Sequence, residues 1–345
     1  MSKSNVAIEE ESLRKLLLGF AVEAQKQLAS SIYEPKKKVL VLAGPTGCGK
    51  TAFSLPLAQK LGGEVISADS MQIYQGMNIG TAKATAKERE KVAHHLLDIR
   101  SVTDSFNVVD FYFEARHCCQ VVLIKNKVPI VVGGSGFYLH SLIYGPPDGP
   151  PSINDLRTSL EQEIEDKGAE LLYSRLLELD PVYAASITRR DKQKIDRALV
   201  IISLTGKRVS ELKWKKKQTP QHYDFRCWFL YRPRKVLYER IEKRCEQMVQ
   251  AGLLDEVEQL LKEGLLENNS AAQAIGYRQA IDYLRSPQKS CDYEQFIEDF
   301  KKASRRYAKR QLTWFRQEKL FRWLDLELHD AETAIDMILD DFENH

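Results

Sequence analysis

A chain of 345 residues, 43% of them hydrophobic, can bury a substantial core, and it points to one large domain carrying an insertion or to two smaller ones. Its 51 basic and 48 acidic side chains leave a net charge of only +3, so bulk charge argues neither for nor against a nucleic-acid partner. Six cysteines with no C-x-x-C pair read as reduced thiols of a cytoplasmic protein, the acidic run at Glu9, Glu10 and Glu11 is unlike the basic start of a signal peptide, and no apolar run approaches the ~18 residues of a membrane span.

Residues 9–30 repeat at helical spacing and predict an appended helix within an N-terminal extension over 1–37. Residues 39–43 are continuously apolar, as a strand buried on both faces requires, and lead into Gly44-Pro45-Thr46-Gly47-Cys48-Gly49-Lys50-Thr51, followed by a helix over 51–61. Further apolar runs at 64–68, around 96–99 and at 128–132, separated by helical stretches, predict a parallel sheet covered by helices, hence an α/β fold. The Gly/Pro-rich stretch 145–151 closes this first part of the core, 38–151. Residues 152–212 are helical and charged and read as an insertion. The core resumes over 213–330 with a strand at 225–231 and long helical patterns at 236–263 and 293–323, and 331–345 is left as a tail.

The glycine segment fits G-x-x-x-x-G-K-[ST], between a strand and a helix as that phosphate loop requires. Its glycines let backbone N–H groups curl around phosphate oxygens, the helix N-terminus adds its positive dipole end, Lys50 adds charge, and the Thr51 hydroxyl can ligate magnesium. Cys48 reads as a small filler in this loop. The owner of the phosphates is left open. In P-loop hydrolases a magnesium-holding Asp ends a neighbouring strand, whereas the 128–132 strand runs into Gly133-Gly134-Ser135-Gly136. The carboxylate that does end a strand near the loop is Asp69, open between a catalytic base and a turn cap bonded to its own backbone. His94 and His95 lack a ligand pattern and read as structural.

Taken in order, the phosphate loop, Ser67-Ala68-Asp69-Ser70-Met71-Gln72 with Gly76 to Lys83, His94 to Ile99, Gly133 to Tyr138, Ala274-Ile275-Gly276-Tyr277 and Tyr307-Ala308-Lys309-Arg310-Gln311 resemble the transfer-RNA dimethylallyltransferases, also called isopentenyltransferases, in their bacterial form without a zinc-finger tail. Ser135, Phe137 and Ala84 stand where that family usually has Thr, Leu and Pro. The resemblance implies a P-loop core with a helical insertion that grips the anticodon stem-loop. It also implies transfer of a dimethylallyl group from its diphosphate to the exocyclic amine of the adenosine 3′ of the anticodon, with Mg2+ as cofactor. The partners are then tRNA and dimethylallyl diphosphate, with no membrane, and the protein is a monomer. Rival readings are a P-loop kinase of a small metabolite or nucleotide, and an idle RNA binder.

Carried over residue by residue, the resemblance makes Asp69, Thr51 and Arg244 catalytic, with Thr51 also the metal ligand. Gly44, Pro45, Thr46, Gly47, Cys48, Gly49, Lys50, Thr51 and Arg157 hold the diphosphate. Asp69, Ser70, Met71 and Gln72, then Ser135 and Gly136, then Gln193, Lys194, Ile195, Asp196 and Arg197, and finally Gln273, Ala274, Ile275, Gly276, Tyr277 and Arg278 meet the RNA. Tyr277 is open between core packing and base stacking on its residue type. Arg240, four residues before Arg244, reads as solvated charge. From Lys301 to Arg322 there are nine basic residues and one acidic, interleaved with aromatics, and Lys302, Arg305, Arg306, Lys309 and Arg316 recur at helical spacing, a pattern that suits a phosphate backbone.

Overall fold

The computed structural model describes residues 37–146, 169–212 and 223–344; residues 1–36 of the N-terminal extension and Arg157 lie outside the described residues. Its centre is a six-stranded sheet in the order β3-β2-β4-β1-β5-β6, built from β1 (Lys38–Ala43), β2 (Glu64–Ser67), β3 (His94–His95), β4 (Pro129–Gly133), β5 (Asp224–Tyr231) and β6 (Arg322–Asp325). β1 and β4, β4 and β2, β2 and β3, and β5 and β6 pair in parallel. Helices α1 (Lys50–Lys60), α2 (Ala86–Lys91), α3 (Val108–Ile124) and α4 (Gly136–Tyr144) lie between and after the first four strands. Cover on both faces explains why β1 is apolar without alternation: five of its six residues are buried.

The chain leaves β1, passes to β2 and later fills the gap between them with β4. Ala43 is paired with Gly133 and Ser67 with Val132, so the carboxyl ends of β1, β4 and β2 stand level and adjacent. Open α/β sheets bind their ligands at such ends.

Residues 169–212 fold as α5 (Ala169–Leu179), α6 (Pro181–Ala184) and α7 (Lys192–Thr205) around an apolar centre of their own that includes Leu172, Leu176, Ile195 and Leu199. Buried Asp180 ties it together, accepting the Tyr183 amide at 3.0 Å and the Ser210 amide at 2.9 Å. After β5 come α8 (Arg234–Gln250), α9 (Leu253–Lys262), α10 (Asn269–Ala272), α11 (Tyr277–Leu284), α12 (Ser290–Phe315) and, after β6, α13 (Ala331–Asn344).

Four elements differ from the sequence expectation. The third strand is His94–His95 rather than 96–99, where Leu96 and Asp98 adopt positive φ and the chain turns; Asp98 is drawn there by Lys83 and Arg89 at 2.5 and 2.8 Å. The pattern at 236–263 is two helices, because Gly252 at φ 97° turns the chain between α8 and α9. The pattern at 293–323 ends as helix at Phe315 and resumes as edge strand β6. The tail is the helix α13, with Ala334, Ile338 and Phe342 buried and Asp341 accepting from Trp228 Nε1 at 3.0 Å and from Arg322.

At the amino end of β2, the Glu64 side chain is 3% exposed and meets Lys127 at 2.8 Å, His95 Nε2 at 2.7 Å and Lys125 at 3.2 Å. Burial alone pushes this carboxyl up, but the bonds from Lys127, His95 and Lys125 outweigh it and hold the pKa down, from 4.5 to about 2. A depressed acid stabilises the fold fully above its unfolded pKa, and that contribution is lost as pH falls toward the folded one. Glu64→Gln is therefore expected to cost roughly 3 kcal/mol at neutral pH and to flatten the decline of stability from about pH 5 toward pH 2, read by urea unfolding across that range.

Candidate active site

The loop that follows β1 turns at Gly47 and Gly49, with φ of 80° and 105°. Gly49 caps α1 without a side-chain bond, whereas α2 and α3 are closed by capping boxes of Thr85 with Glu88 and Asn107 with Asp110. An uncapped helix start beside a cleft offers backbone donors and a positive dipole end to an anion. Lys50 lies over its own loop, donating to the Gly44 and Pro45 carbonyls at 2.9 and 3.0 Å, and Thr51 is exposed on the cleft. Cys48 is fully buried, the small filler its residue type suggests.

Long-range bonds hold this loop in place. Gln311, buried on α12, accepts the Thr46 amide and donates to the Gly134 carbonyl, both at 2.9 Å, and so joins the loops after β1 and β4. Arg240 Nε donates to the Gly47 carbonyl at 3.0 Å, Arg232 Nε to the Cys48 carbonyl at 3.1 Å, and Arg244 to the Thr46 hydroxyl at 3.3 Å. Arg240 thus supports the loop rather than standing as solvated charge. Neither it nor Gln311 was among the predicted site residues. Its one-turn spacing from Arg244, and an uncharged Gln amid a basic helix, were the signals available.

Asp69 follows β2 and satisfies both readings of its residue type. One carboxylate oxygen accepts the Met71 amide at 2.9 Å, a turn cap, and the side chain lines the same cleft as Thr46, Lys50, Thr51 and Arg244. Among the described residues no donor is bonded to its other oxygen. Burial is the largest influence on Lys50 and Arg244 and pushes both pKa values down, while the Asp69 carboxylate acts on both in the opposite direction. Burial, reinforced by Asp69, pushes the Tyr307 phenol up to about 12, so it stays a hydrogen-bond donor.

The cleft holds about 380 Å³ and has an apolar floor of Ile241, Cys245 and Met248 from α8, with Ile275 and Phe300. The first three recur at i, i+4 and i+7 beside Arg244, a stripe legible in the sequence but read only as helix. Apolar side chains and the donors of the phosphate loop thus line one cleft.

Of the residues predicted to meet RNA, Ser70, Met71, Gln72, Gln273, Ala274 and Ile275 line this cleft. Gln72 is also committed within the protein, donating to the Thr81 carbonyl at 3.1 Å and accepting from Ser67 Oγ at 2.8 Å. Tyr277 also lines it but is fully buried, its hydroxyl donating to Glu256 at 2.6 Å, so it packs rather than stacks on a base. Gly276 is buried with its amide on Gln279, and Arg278 opens on a separate groove with Asp282, Lys302 and Arg306. Ser135 precedes α4 and Gly136 lies under Trp314. On α7, which carries Gln193, both Ile195 and Asp196 are buried in the insertion and present little to any partner; Lys194 is exposed beside Asp191, and Arg197 is half-buried.

The family model for IPP transferase matches residues 72–318. The chain is 57% identical over 339 residues to a tRNA dimethylallyltransferase of Protochlamydia amoebophila, covering 98% of each. In structure it is similar to the tRNA isopentenylpyrophosphate transferase of Bacillus halodurans, with a TM-score of 0.64 and 38% identity over 88% of this chain and 95% of that one. It is also similar to a eukaryotic dimethylallyltransferase acting on tRNA, with a TM-score of 0.73 and 28% identity over 90% and 80%.

Replacing Gln311 with Leu leaves the Thr46 amide and the Gly134 carbonyl without their partner, at about 1–3 kcal/mol each. Gln311→Leu is expected to lower the melting temperature, measured by thermal unfolding.

Proposed function

The chain belongs to the IPP transferase family, and from that membership we propose that it transfers the dimethylallyl group of dimethylallyl diphosphate to the exocyclic amine of the adenosine 3′ of the anticodon in tRNA, releasing diphosphate. The observation that carries this reading is one cleft with an anion-binding loop and Arg244, an apolar floor, and the Asp69 carboxylate together. A kinase has less support, since β4 runs into glycines where P-loop hydrolases keep a magnesium-holding Asp.

The lone pair of an adenine amine is delocalised, so the amine attacks best with a base in reach. Its nitrogen forms a bond to the first carbon of the dimethylallyl group as the bond from that carbon to the diphosphate oxygen breaks. Charge then gathers on the leaving diphosphate, where Lys50, Arg244 and the amides at the start of α1 stabilise it more in the transition state than before it. The proton lost by the amine passes to the oxygen of Asp69 that does not cap Met71. The Thr51 hydroxyl, together with the donor's own phosphate oxygens, would hold magnesium, which neutralises charge on the leaving group. Among the described residues no three His, Cys, Asp or Glu converge as ligands, and a hard cation held through one hydroxyl, substrate oxygens and water needs none. Arg157 is assigned to the diphosphate on the family resemblance alone.

For the RNA, Ser70, Met71 and Gln273 stand at the cleft for the target base, and Lys194 and Arg197 are on the insertion. α12 offers exposed Lys302, Arg306, Lys309 and Arg310 to the phosphate backbone, and Arg316 follows at its C-cap. Arg305 is withdrawn from that stripe by Glu242 at 2.5 Å, and neighbouring Lys301 is paired with Glu246 at 2.7 Å. No helix among the described residues is long and apolar enough to cross a membrane, and a cytoplasmic monomer fits this reading.

Asp69→Asn keeps an acceptor for the Met71 amide but not the base, and it is expected to lower kcat by about a thousandfold with stem-loop affinity unchanged, measured with labelled donor and an anticodon stem-loop; undiminished turnover would refute the assignment. Lys309→Ala and Arg316→Ala are each expected to reduce by about one the slope of log affinity against log salt for that RNA.

A further inference from the structure

Outside the reacting groups, one carboxylate gathers four donors. Glu256, on α9, accepts the amides of Asn78 and Ile79 at 2.9 and 2.7 Å on one oxygen, and the Gly80 amide and Tyr277 hydroxyl at 3.2 and 2.6 Å on the other. Residues 78–80 lie outside the helices and strands, and their three consecutive amides turned toward one anion form a nest in which the carboxylate holds the course of the chain. Tyr277 presses on the same turn: a Cβ at Gly80 would lie 2.5 Å from its ring.

The next residues, Thr81 and Ala82, line the cleft with Gly80, and their carbonyls receive Gln72 Nε2 at 3.1 and 3.5 Å. Gln72 in turn accepts from Ser67 Oγ at 2.8 Å, and that hydroxyl accepts the Asp69 amide at 3.4 Å. Hydrogen bonds at either end of the short backbone stretch 80–82 therefore link Glu256 to the backbone of the proposed base, and none of them touches the phosphate loop.

We propose that Glu256 is a positioning residue for the acceptor half of the site, fixing the wall over 78–82 and, through Gln72, the setting of Asp69. This rests on the transfer reaction proposed above. Removing the carboxylate leaves diphosphate binding intact and misplaces the acceptor against the base, an error that is costly in rate. Glu256→Gln keeps the shape but sets an amide nitrogen where either the Gly80 amide or the Asn78 and Ile79 amides need an oxygen. Tyr277→Phe removes one donor of the four and leaves the carboxylate.

The test assays the full-length wild type and both variants with dimethylallyl diphosphate and an anticodon stem-loop, and measures binding of inorganic pyrophosphate separately. For Glu256→Gln, kcat at saturation is expected to fall about tenfold while the KM for the donor and the affinity for pyrophosphate stay within about twofold. Tyr277→Phe gives a smaller fall of the same pattern. Unchanged kcat in both variants overturns the proposal, as does a donor KM and pyrophosphate affinity that worsen together with kcat, the mark of a generally loosened fold. Should Glu256→Gln fail to fold, Tyr277→Phe decides by the same criteria. A wild type that transfers no label removes the proposed function and this inference with it, whereas an active wild type beside undisturbed variants removes the inference alone.

Discussion

The level ending of β1, β4 and β2 is the constraint from which the site follows. Parallel pairing of three neighbouring strands brings a glycine loop, a glycine turn and an acidic turn to one edge of the sheet, although they lie far apart along the chain. Positive and negative groups that would neutralise one another in a random arrangement are held on different elements, Lys50 at the start of α1, Arg244 on α8 and Asp69 just after β2, near enough to act on one another. The paired backbone of the sheet fixes the loop that carries Lys50 and the turn that carries Asp69, and α8 brings Arg244 to the same cleft.

The second half of the chain is a scaffold for the first. α8 and α12 reach back to the phosphate loop through Arg240, Arg244 and Gln311, and α9 reaches the turn over 78–80 through Glu256. α12 has two unlike faces as a result: buried Phe296, Phe300, Ala308, Gln311 and Phe315 on one side and exposed bases on the other. Its charge density therefore understates how much of the helix is structural, and Arg305 belongs to the packing as an ion pair with Glu242.

Much of this was legible in the sequence because it was written locally. The phosphate loop, its flanking strand and helix, and the acid closing the next strand are short, contiguous patterns. What escaped depends on partners distant in the chain. His94–His95 looks too polar for a strand until Glu64 supplies a partner for His95 at 2.7 Å. Leu96 and Leu97 look like a strand, but the ion pairs of Asp98 bend the chain there. Gly252 is a single residue in a long helical pattern, and only its positive φ marks the break. Tyr277 carries an aromatic ring that chemistry alone leaves free to stack on a base, and its bond to Glu256 is what commits it to the interior.

The three helices over 169–212 keep an apolar centre separate from the one around the sheet. A chain with two such centres can diversify one surface without disturbing the other: substitutions among the outward residues of α5 and α7 leave the strand ends around the cleft insulated from the change. Divergence among related chains should concentrate on that module's exterior, and its interior should drift only by swaps that conserve volume.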